Sequence, residues 1–273
     1  MADATRFQFT SSSVPGAYDE YLVPRLFAPW AEVLLDAAKV RSGDKVLDVA
    51  TGPGTVGRAA ALRVGTQGHV VGTDISAAML AIARSKPPAQ NSARIEYVES
   101  PAAPLRVPSA SFDVVLCQQG LQFFPDRGQA LQEMRRALRP GGRLGVAVWG
   151  ALNECEVYAA YHRALRDAGL NELAETMTLP FSWPAGADLA TAVRKAEFSE
   201  VRVEARSLPL AYEGGVKQVI AALAGAPIGP ALAELPSTVQ GKLATAAQHA
   251  FKSLLDESSV RGQMVANILT AVK

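Results

Sequence analysis

The stretch from Lys45 to Thr55 reads Lys-Val-Leu-Asp-Val-Ala-Thr-Gly-Pro-Gly-Thr. Its apolar run, residues 45–50, is β-branched and bounded by Gly43 and Gly52, the pattern of a buried strand. Residues 55–64 then turn Ala- and Leu-rich, which predicts a helix after a glycine turn. Four more strands are predicted at 69–74, 94–99, 112–117 and 143–149. Helices are predicted over 76–86, with Ser76 as N-cap, and over 127–139, which Pro140-Gly141-Gly142 stops. Strands alternating with helices of this length mean β-α-β units and a mostly parallel sheet covered on both faces, an α/β fold.

Working outward, residues 18–39 read as a helix that puts Leu26, Phe27, Trp30, Val33, Leu34 and Ala37 on one face. Downstream, 153–168 and 187–196 read as helices. The alternation at 200–210 predicts a half-exposed strand. Residues 214–257 read as helical with Gly/Pro breaks, and 264–272 as a terminal strand. The chain thus divides into N-terminal helices (1–40), a Rossmann-like core (41–150), a mostly helical cover carrying the sixth strand (151–260) and a terminal strand of the core sheet (261–273).

With 273 residues, 49% hydrophobic and 19% charged, the chain is no disordered tail. Lys plus Arg is 27 against 26 Asp plus Glu, a net charge of +1, which argues against a dedicated nucleic-acid binder. Cys117 and Cys155 cannot build a disulfide framework and read as free thiols of a reducing compartment. No basic segment followed by an apolar one opens the chain. The longest charge-free apolar run, 219–233, is broken by Gly225, Pro227, Gly229 and Pro230, short of the roughly 20 residues a bilayer span needs. A cytoplasmic protein without a membrane span is expected.

The glycine loop has two readings. Gly52, Gly54 and Gly57 satisfy G-x-G-x-x-G, and Asp74 follows Gly52 by 22 residues. That is the pattern of a dinucleotide site and of a nicotinamide-dependent oxidoreductase. Asp48, however, sits inside the strand end, where a buried carboxylate is costly unless a cation or hydrogen-bond donors meet it. S-adenosylmethionine carries an ammonium, a sulfonium and a ribose diol, and no pyrophosphate. An acid at the loop base and a second acid at the tip of strand two match those groups.

The motifs also occur in series. Val46 to Thr55, Gly72 to Leu80, Ser111 to Asp126 and Ala137 to Leu144 resemble the successive motifs of class I S-adenosylmethionine-dependent methyltransferases. They are most similar to the ubiquinone/menaquinone C-methyltransferase-like group of small-molecule enzymes. The resemblance covers about residues 18–149. It implies a seven-stranded sheet of order 3-2-1-4-5-7-6 with the last strand antiparallel. It implies S-adenosylmethionine as cofactor, held by the loop residues Ala50, Thr51, Gly52 and Gly54 with Asp48 beneath them. Asp74 would take the ribose, with Ile75 beside it and Met79 against adenine. Ala50 replaces the family's first loop glycine, a change tolerable where φ is negative. The family usually shows Gly-Asp-Ala after strand three. Here Ser100-Pro101-Ala102 stands there, so Pro101 and Ala102 would border an adenine whose amino group meets a backbone carbonyl, Ser100, Glu99 or water. Residues 1–40 would form a lid.

Methyl transfer needs acceptor and methyl held in line and water kept out. The acceptor site belongs at the carboxyl ends of strands one and four. Gln118 is expected on the cofactor, and Gln119, Gln122, Phe123, Trp149, Tyr21 and Tyr158 on the substrate. Phe123, Phe124 and Trp149 could form an aromatic wall favouring the sulfonium. Gln122 stands where some relatives place a His and cannot act as a base. His162 is the base candidate, with Tyr18 as second choice. No spacing of His, Cys, Asp or Glu fits a metal site. An Ala-, Leu- and Pro-rich cover suggests a mostly apolar acceptor, and a homodimer interface would share that composition. Pro101 and the missing His also leave open a non-catalytic binding protein on the same fold.

Overall fold

A computed structural model of the chain describes residues 14–183, 185–226 and 228–273. Residues 1–13 of the expected lid lie outside the described residues. Eight strands form one sheet: β1 (Lys45–Val49), β2 (His69–Asp74), β3 (Arg94–Glu99), β4 (Phe112–Gln118), β5 (Leu138–Trp149), β6 (Ser199–Tyr212), β7 (Leu255–Asp256) and β8 (Ser259–Val272). The order is β3-β2-β1-β4-β5-β8-β6, with the two-residue β7 paired to β8. Strands β1 to β5 pair in parallel, and β8 runs antiparallel to both β5 and β6. This is the expected order 3-2-1-4-5-7-6, with β7 as one addition.

The sheet is doubly covered because its strands are apolar on both faces. In β1, Val46 joins one core cluster while Leu47 and Val49 join the other. In β4, Val114 and Leu116 face the first, Val115 and Cys117 the second. Only Asp48 interrupts the apolar run of β1, at 1% exposure. Order reverses between β1 and β4, since β2 and β3 lie to one side and β5 to the other. The crevice at the carboxyl ends of β1 and β4 is therefore the switch point where ligands bind in such sheets.

Three local expectations change. Residues 255–256 leave the predicted helix and pair with Ser259 and Val260 across a turn at Glu257, whose φ is 53°. The helix after β4, α5 (Arg127–Ala137), ends early because Leu138 already pairs with Phe112. A helix over Asn171–Thr178, α7, was not foreseen. Between β5 and β6 it joins α6 (Glu156–Asp167) and α8 (Gly186–Lys195), and α9 (Gly215–Ala222), α10 (Gly229–Ala233) and α11 (Ser237–Ala250) follow β6. Among the described residues no helix is long and apolar enough to cross a membrane.

The N-terminal helix runs as Val14–Ala17 (α1), Tyr18–Phe27 in wide π-helical turns, and Ala28–Ala37 (α2). Pro24 lies inside the wide stretch. A proline within an α-helix costs about 3 kcal/mol, because it removes one N–H and crowds the preceding turn. Wide turns reroute the bonding, so that the Ala28 N–H donates to the Val23 carbonyl five residues back. Burial of Leu22, Leu26, Trp30, Leu34 and Leu35 contributes about 1.5–3 kcal/mol each and outweighs the defect. The helix crosses residues 223–225 at close range. A Cβ on Gly225 would stand 2.6 Å from the Tyr18 nitrogen, so only glycine allows that approach.

Candidate active site

Three strand ends build the site. At the end of β1, Asp48 Oδ2 accepts from the Thr51 hydroxyl at 2.5 Å and from the Gly57 N–H at 2.8 Å. Gly57 belongs to the first turn of α3 (Thr55–Val64), whose N–H groups have no partner within the helix. The carboxylate thus folds the glycine loop back onto its own strand. Its other oxygen, Oδ1, is buried without a partner. Burial pushes the Asp48 carboxyl up to about 7, against the opposing pull of the Thr51 and Gly57 bonds.

At the tip of β2, Asp74 Oδ2 accepts from the Gly52 N–H and Oδ1 from the Ser76 N–H, both at 2.8 Å. Burial raises this carboxyl as well, and the backbone donors hold it down. Ser76 caps α4 (Ala77–Ser85) by accepting from the Met79 N–H at 3.3 Å. Met79 itself is 2% exposed, whereas Ile75 is 65% exposed. The apolar surface open beside Asp74 therefore belongs to Ile75. A Cβ on Gly52, at φ 55°, would point into open space, so the loop keeps room over its backbone. Ala50 has φ 57°, where a negative value was expected. This is the left-handed region, which costs a residue with a Cβ about 1–2 kcal/mol.

At the end of β4, Gln118 Nε2 donates to the Phe27 carbonyl at 2.9 Å and ties the wide helix to the sheet. Gln122 Nε2 donates to Gln119 Oε1 at 3.3 Å. Gly120 brings this turn against the glycine loop: a Cβ there would lie 2.7 Å from the Ala50 Cβ. Gln118 Oε1, Gln119 Nε2 and Gln122 Oε1 are buried without partners. Each such group costs about 1–3 kcal/mol until something meets it.

Beyond β3, the Ser100 hydroxyl donates to the Pro101 carbonyl at 2.8 Å and accepts from the Arg106 N–H at 2.9 Å. Pro101 and Ala102 are half-buried. Above the loop, Lys86 Nζ contacts Asp19 at 2.5 Å and the Pro53 carbonyl at 3.0 Å, which fastens the N-terminal helix to the glycine loop.

Tyr18 stacks on Phe27 at 4.8 Å, and burial with the charges of Asp74 and Asp19 pushes its phenol up. A base needs the opposite shift. Tyr158 packs on Phe181 at 5.7 Å, and its phenol is raised by burial and by Tyr212 and Tyr18. Tyr21, one turn beyond Tyr18, has its phenol raised by Glu20. Trp149 is 4% exposed and meets Trp30 edge-on at 5.7 Å and Phe27 at 6.2 Å. It anchors the helix to the sheet, while Phe123 stays half-buried on the β4 turn. His162 lies apart. Burial lowers its pKa, and the charges acting on it are Arg166, Glu175 and Arg163, none of them from the glycine loop or the β4 end. Among the described residues no group of three His, Cys, Asp or Glu could hold a metal.

A family described as a methyltransferase domain matches residues 46–142. The ubiquinone/menaquinone biosynthesis C-methyltransferase of Hahella chejuensis is 41% identical over 116 residues, 42% of this chain and 47% of the relative. The chain thus spans about half the length of that relative. The demethylmenaquinone methyltransferase of Listeria monocytogenes is 32% identical over 189 residues, 65% of this chain and 79% of the relative. The chain belongs to the class I S-adenosylmethionine-dependent methyltransferases of the ubiquinone/menaquinone C-methyltransferase type. The fold agrees: a phosphoethanolamine N-methyltransferase of Haemonchus contortus, solved with S-adenosyl-L-methionine, superposes with a TM-score of 0.62 at 18% identity, covering 100% of this chain and 60% of that one.

S-adenosylmethionine is the cofactor of this methyltransferase, and the loop suits it. A buried, unpaired carboxylate oxygen on Asp48 calls for a cation, as the ammonium is, and Asp74 keeps free lone pairs for hydroxyl donors. The nicotinamide reading is not favoured, since the matching family and relatives are methyltransferases. Sequence reasoning missed Lys86, Phe27 and Gly120. A lysine at a helix end, an aromatic on an apolar face and a glycine after a strand carry no signal that separates these roles from ordinary ones.

Replacing Ala50 by Gly removes the left-handed strain and adds back some unfolded-chain entropy, a net gain of about 0.5–1 kcal/mol. Urea unfolding should show a higher midpoint at unchanged slope.

Asp48 is raised in the folded state, so between about pH 4 and 7 the native chain keeps a proton that the unfolded chain has released. Its contribution to stability is full below pH 4 and is lost as pH rises through 7. Asp48→Asn should remove that loss, on the order of 1–4 kcal/mol, and flatten the pH 5–8 stability profile. It should also weaken S-adenosylhomocysteine binding at pH 8. A profile as steep as the parent's would place the titration elsewhere.

Proposed function

We propose that this methyltransferase passes a methyl group from S-adenosylmethionine to a small, mostly apolar or aromatic acceptor. The acceptor would sit at the carboxyl ends of β1 and β4, under the N-terminal helix. The observation that carries this reading is the juxtaposition of the glycine loop with the uncharged β4 turn, set by Gly120 against Ala50. The relatives' names place one in ubiquinone and menaquinone biosynthesis and the other on demethylmenaquinone, which supports an aromatic or quinone-type ring as acceptor.

When bound, the cofactor supplies an electrophilic methyl on a good leaving group. The chain then has to hold, orient and exclude water. Asp48 and the loop N–H groups would seat the amino-acid end, Asp74 the ribose, and Ile75 the exposed face of adenine. Tyr18, Phe27, Tyr158 and Phe181 would close the acceptor side against water. The N-terminal segment from 14 to 40 would act as the lid, with Lys86 holding it down.

Catalysis on this reading rests on positioning. The β4 turn offers only amides, and Tyr18 is shifted away from base strength. His162 remains the neutral imidazole of the cover, apart from the loop.

Asp74→Ala removes two hydrogen-bond acceptors for the ribose and should weaken S-adenosylhomocysteine by about 1.5–3 kcal/mol. Calorimetry checks this, and unchanged affinity sinks the ribose assignment. A product screen with labelled methyl donor and reduced quinones separates an enzyme from a binding protein on the same fold.

His162→Ala distinguishes positioning from base catalysis. Loss of a true general base costs about 10²–10⁴ in rate. A kcat within about threefold of the parent, under 1 kcal/mol, is expected. A hundredfold fall at unchanged S-adenosylhomocysteine affinity would return His162 to the mechanism.

A further inference from the structure

The sheet has an open edge at β6, three strands beyond β4 and clear of the crevice. Its inner side pairs with β8, and among the described residues no strand pairs with its outer side. Such an edge presents a row of N–H and C=O groups to which a second strand can add. Two breaks bound the usable stretch. At one end the register against β8 shifts between Ser199 and Arg202, with Glu200 at φ 50°. At the other stands Pro209, which has no N–H to give. Residues 201–207 lie between. Val201 and Val203 pack on the core, and α8 covers that face, since a Cβ on Gly186 would lie 2.9 Å from Val203 Cγ1. Arg202, Glu204 and Arg206 alternate with them on the other face and are exposed. Arg206 meets Glu204 of its own strand at 2.9 Å, and both side chains are more than half exposed.

Charges commonly guard an edge, because like signs repel an incoming strand. Here the signs alternate, so what they do depends on the strand that arrives. In a two-fold dimer each contact occurs twice, residue i on the partner's j and j on the partner's i. Two antiparallel β6 strands with their faces aligned meet in registers where one residue faces itself. Centred on Arg202, they set Arg202 against the partner's Arg202. Centred on Glu204, they set Glu204 against the partner's Glu204 and Arg202 against the partner's Arg206. Centred on Val203, they set Arg202 against the partner's Glu204 twice over and Val201 against the partner's Ala205, and bring Glu200 toward the partner's Arg206. Centred on Ala205, they also pair Glu204 with the partner's Arg206, but Val201 then falls opposite the partner's Pro209. Opposite charges directly across two strands attract, and like charges there destabilise the pair.

We propose that β6 is a self-pairing edge: two copies of the chain join through antiparallel β6 strands in the register centred on Val203, forming one continuous sheet. The partner is a second copy because the strand's own sequence, reversed, carries the complementary order of signs. β8 is antiparallel to both β5 and β6, so β6 runs in the direction of β1 to β5. The two-fold axis reverses that direction. The two crevices therefore open at opposite ends of the joined sheet, and each is built by one chain alone. The interface stands independently of the methyl-transfer reading.

Analytical ultracentrifugation of the full chain between about 1 and 100 μM should show a monomer–dimer equilibrium. Arg202→Glu sets acid against acid at both central pairs and should weaken the dimer at least tenfold. Glu204→Arg sets cation against cation and should do the same. An equimolar mixture of these two single variants restores both pairs in a mixed dimer, which should form within about threefold of the parent's affinity. The double variant Arg202→Glu/Glu204→Arg should recover self-association to the same degree. All the substitutions are on an exposed face, so melting curves should match the parent's and show each variant folded. A parent that stays monomeric throughout the range, a dimer indifferent to Arg202→Glu, or single variants that fail to combine overturns the proposal. Indifference to Arg202→Glu is also what the register centred on Ala205 would give, so the register is tested together with the edge.

Discussion

Asp48 Oδ2, held by the Thr51 hydroxyl and the Gly57 N–H, is the contact on which the site depends. A carboxylate this deep costs several kcal/mol unless donors meet it. Both donors come from the loop and helix that immediately follow its strand. The loop cannot open without leaving the acid unmet, and the acid cannot be buried without drawing the loop back. From there the bonding passes on: the Gly52 N–H goes to Asp74, and Asp74 takes the Ser76 N–H at the head of α4. Two strand ends, two helix starts and one loop are therefore fixed by the placement of two carboxylates.

The N-terminal helix is held by different and weaker means. Gln118 reaches its Phe27 carbonyl, Lys86 joins Asp19 to the Pro53 carbonyl, and Gly225 lets the chain come close at Tyr18. Trp149 and Trp30 anchor its second half in the core, and Leu22 and Leu26 bury its first half beside the partly exposed Lys86–Asp19 contact. Ion pairs of that kind contribute about 0–1 kcal/mol.

How much of this could be read beforehand follows from where the information lies. The strands β1 to β5 and the two acids were legible because apolar runs, glycine turns and carboxylates are local signals, while the order of the strands came with the family resemblance. Ala50 was not: the sequence shows a missing glycine, and only the backbone shows that the position stays left-handed. That Met79 is buried and Ile75 open was hidden for a similar reason, since the chain's path after a strand decides which side chain is exposed. Trp149 read as a pocket wall because its partners Trp30 and Phe27 lie over a hundred residues away. The β7 pair interrupts a helical composition, because Ser259 and Val260 offer strand partners that composition does not reveal.

The distribution of charge bears on how the reaction is accelerated. Acids gather at the loop, amides at the β4 turn, and phenols under the helix are pushed toward weaker acidity. Such a field favours a cation at the loop and neutral groups opposite. A general base is worth about 3–5 kcal/mol of barrier, 10²–10⁴ in rate. Holding two reactants in line is worth about 7–11 kcal/mol. With a leaving group as good as a sulfonium's neutral thioether, the larger of these effects is the one a rigid loop facing a buried amide pair can deliver.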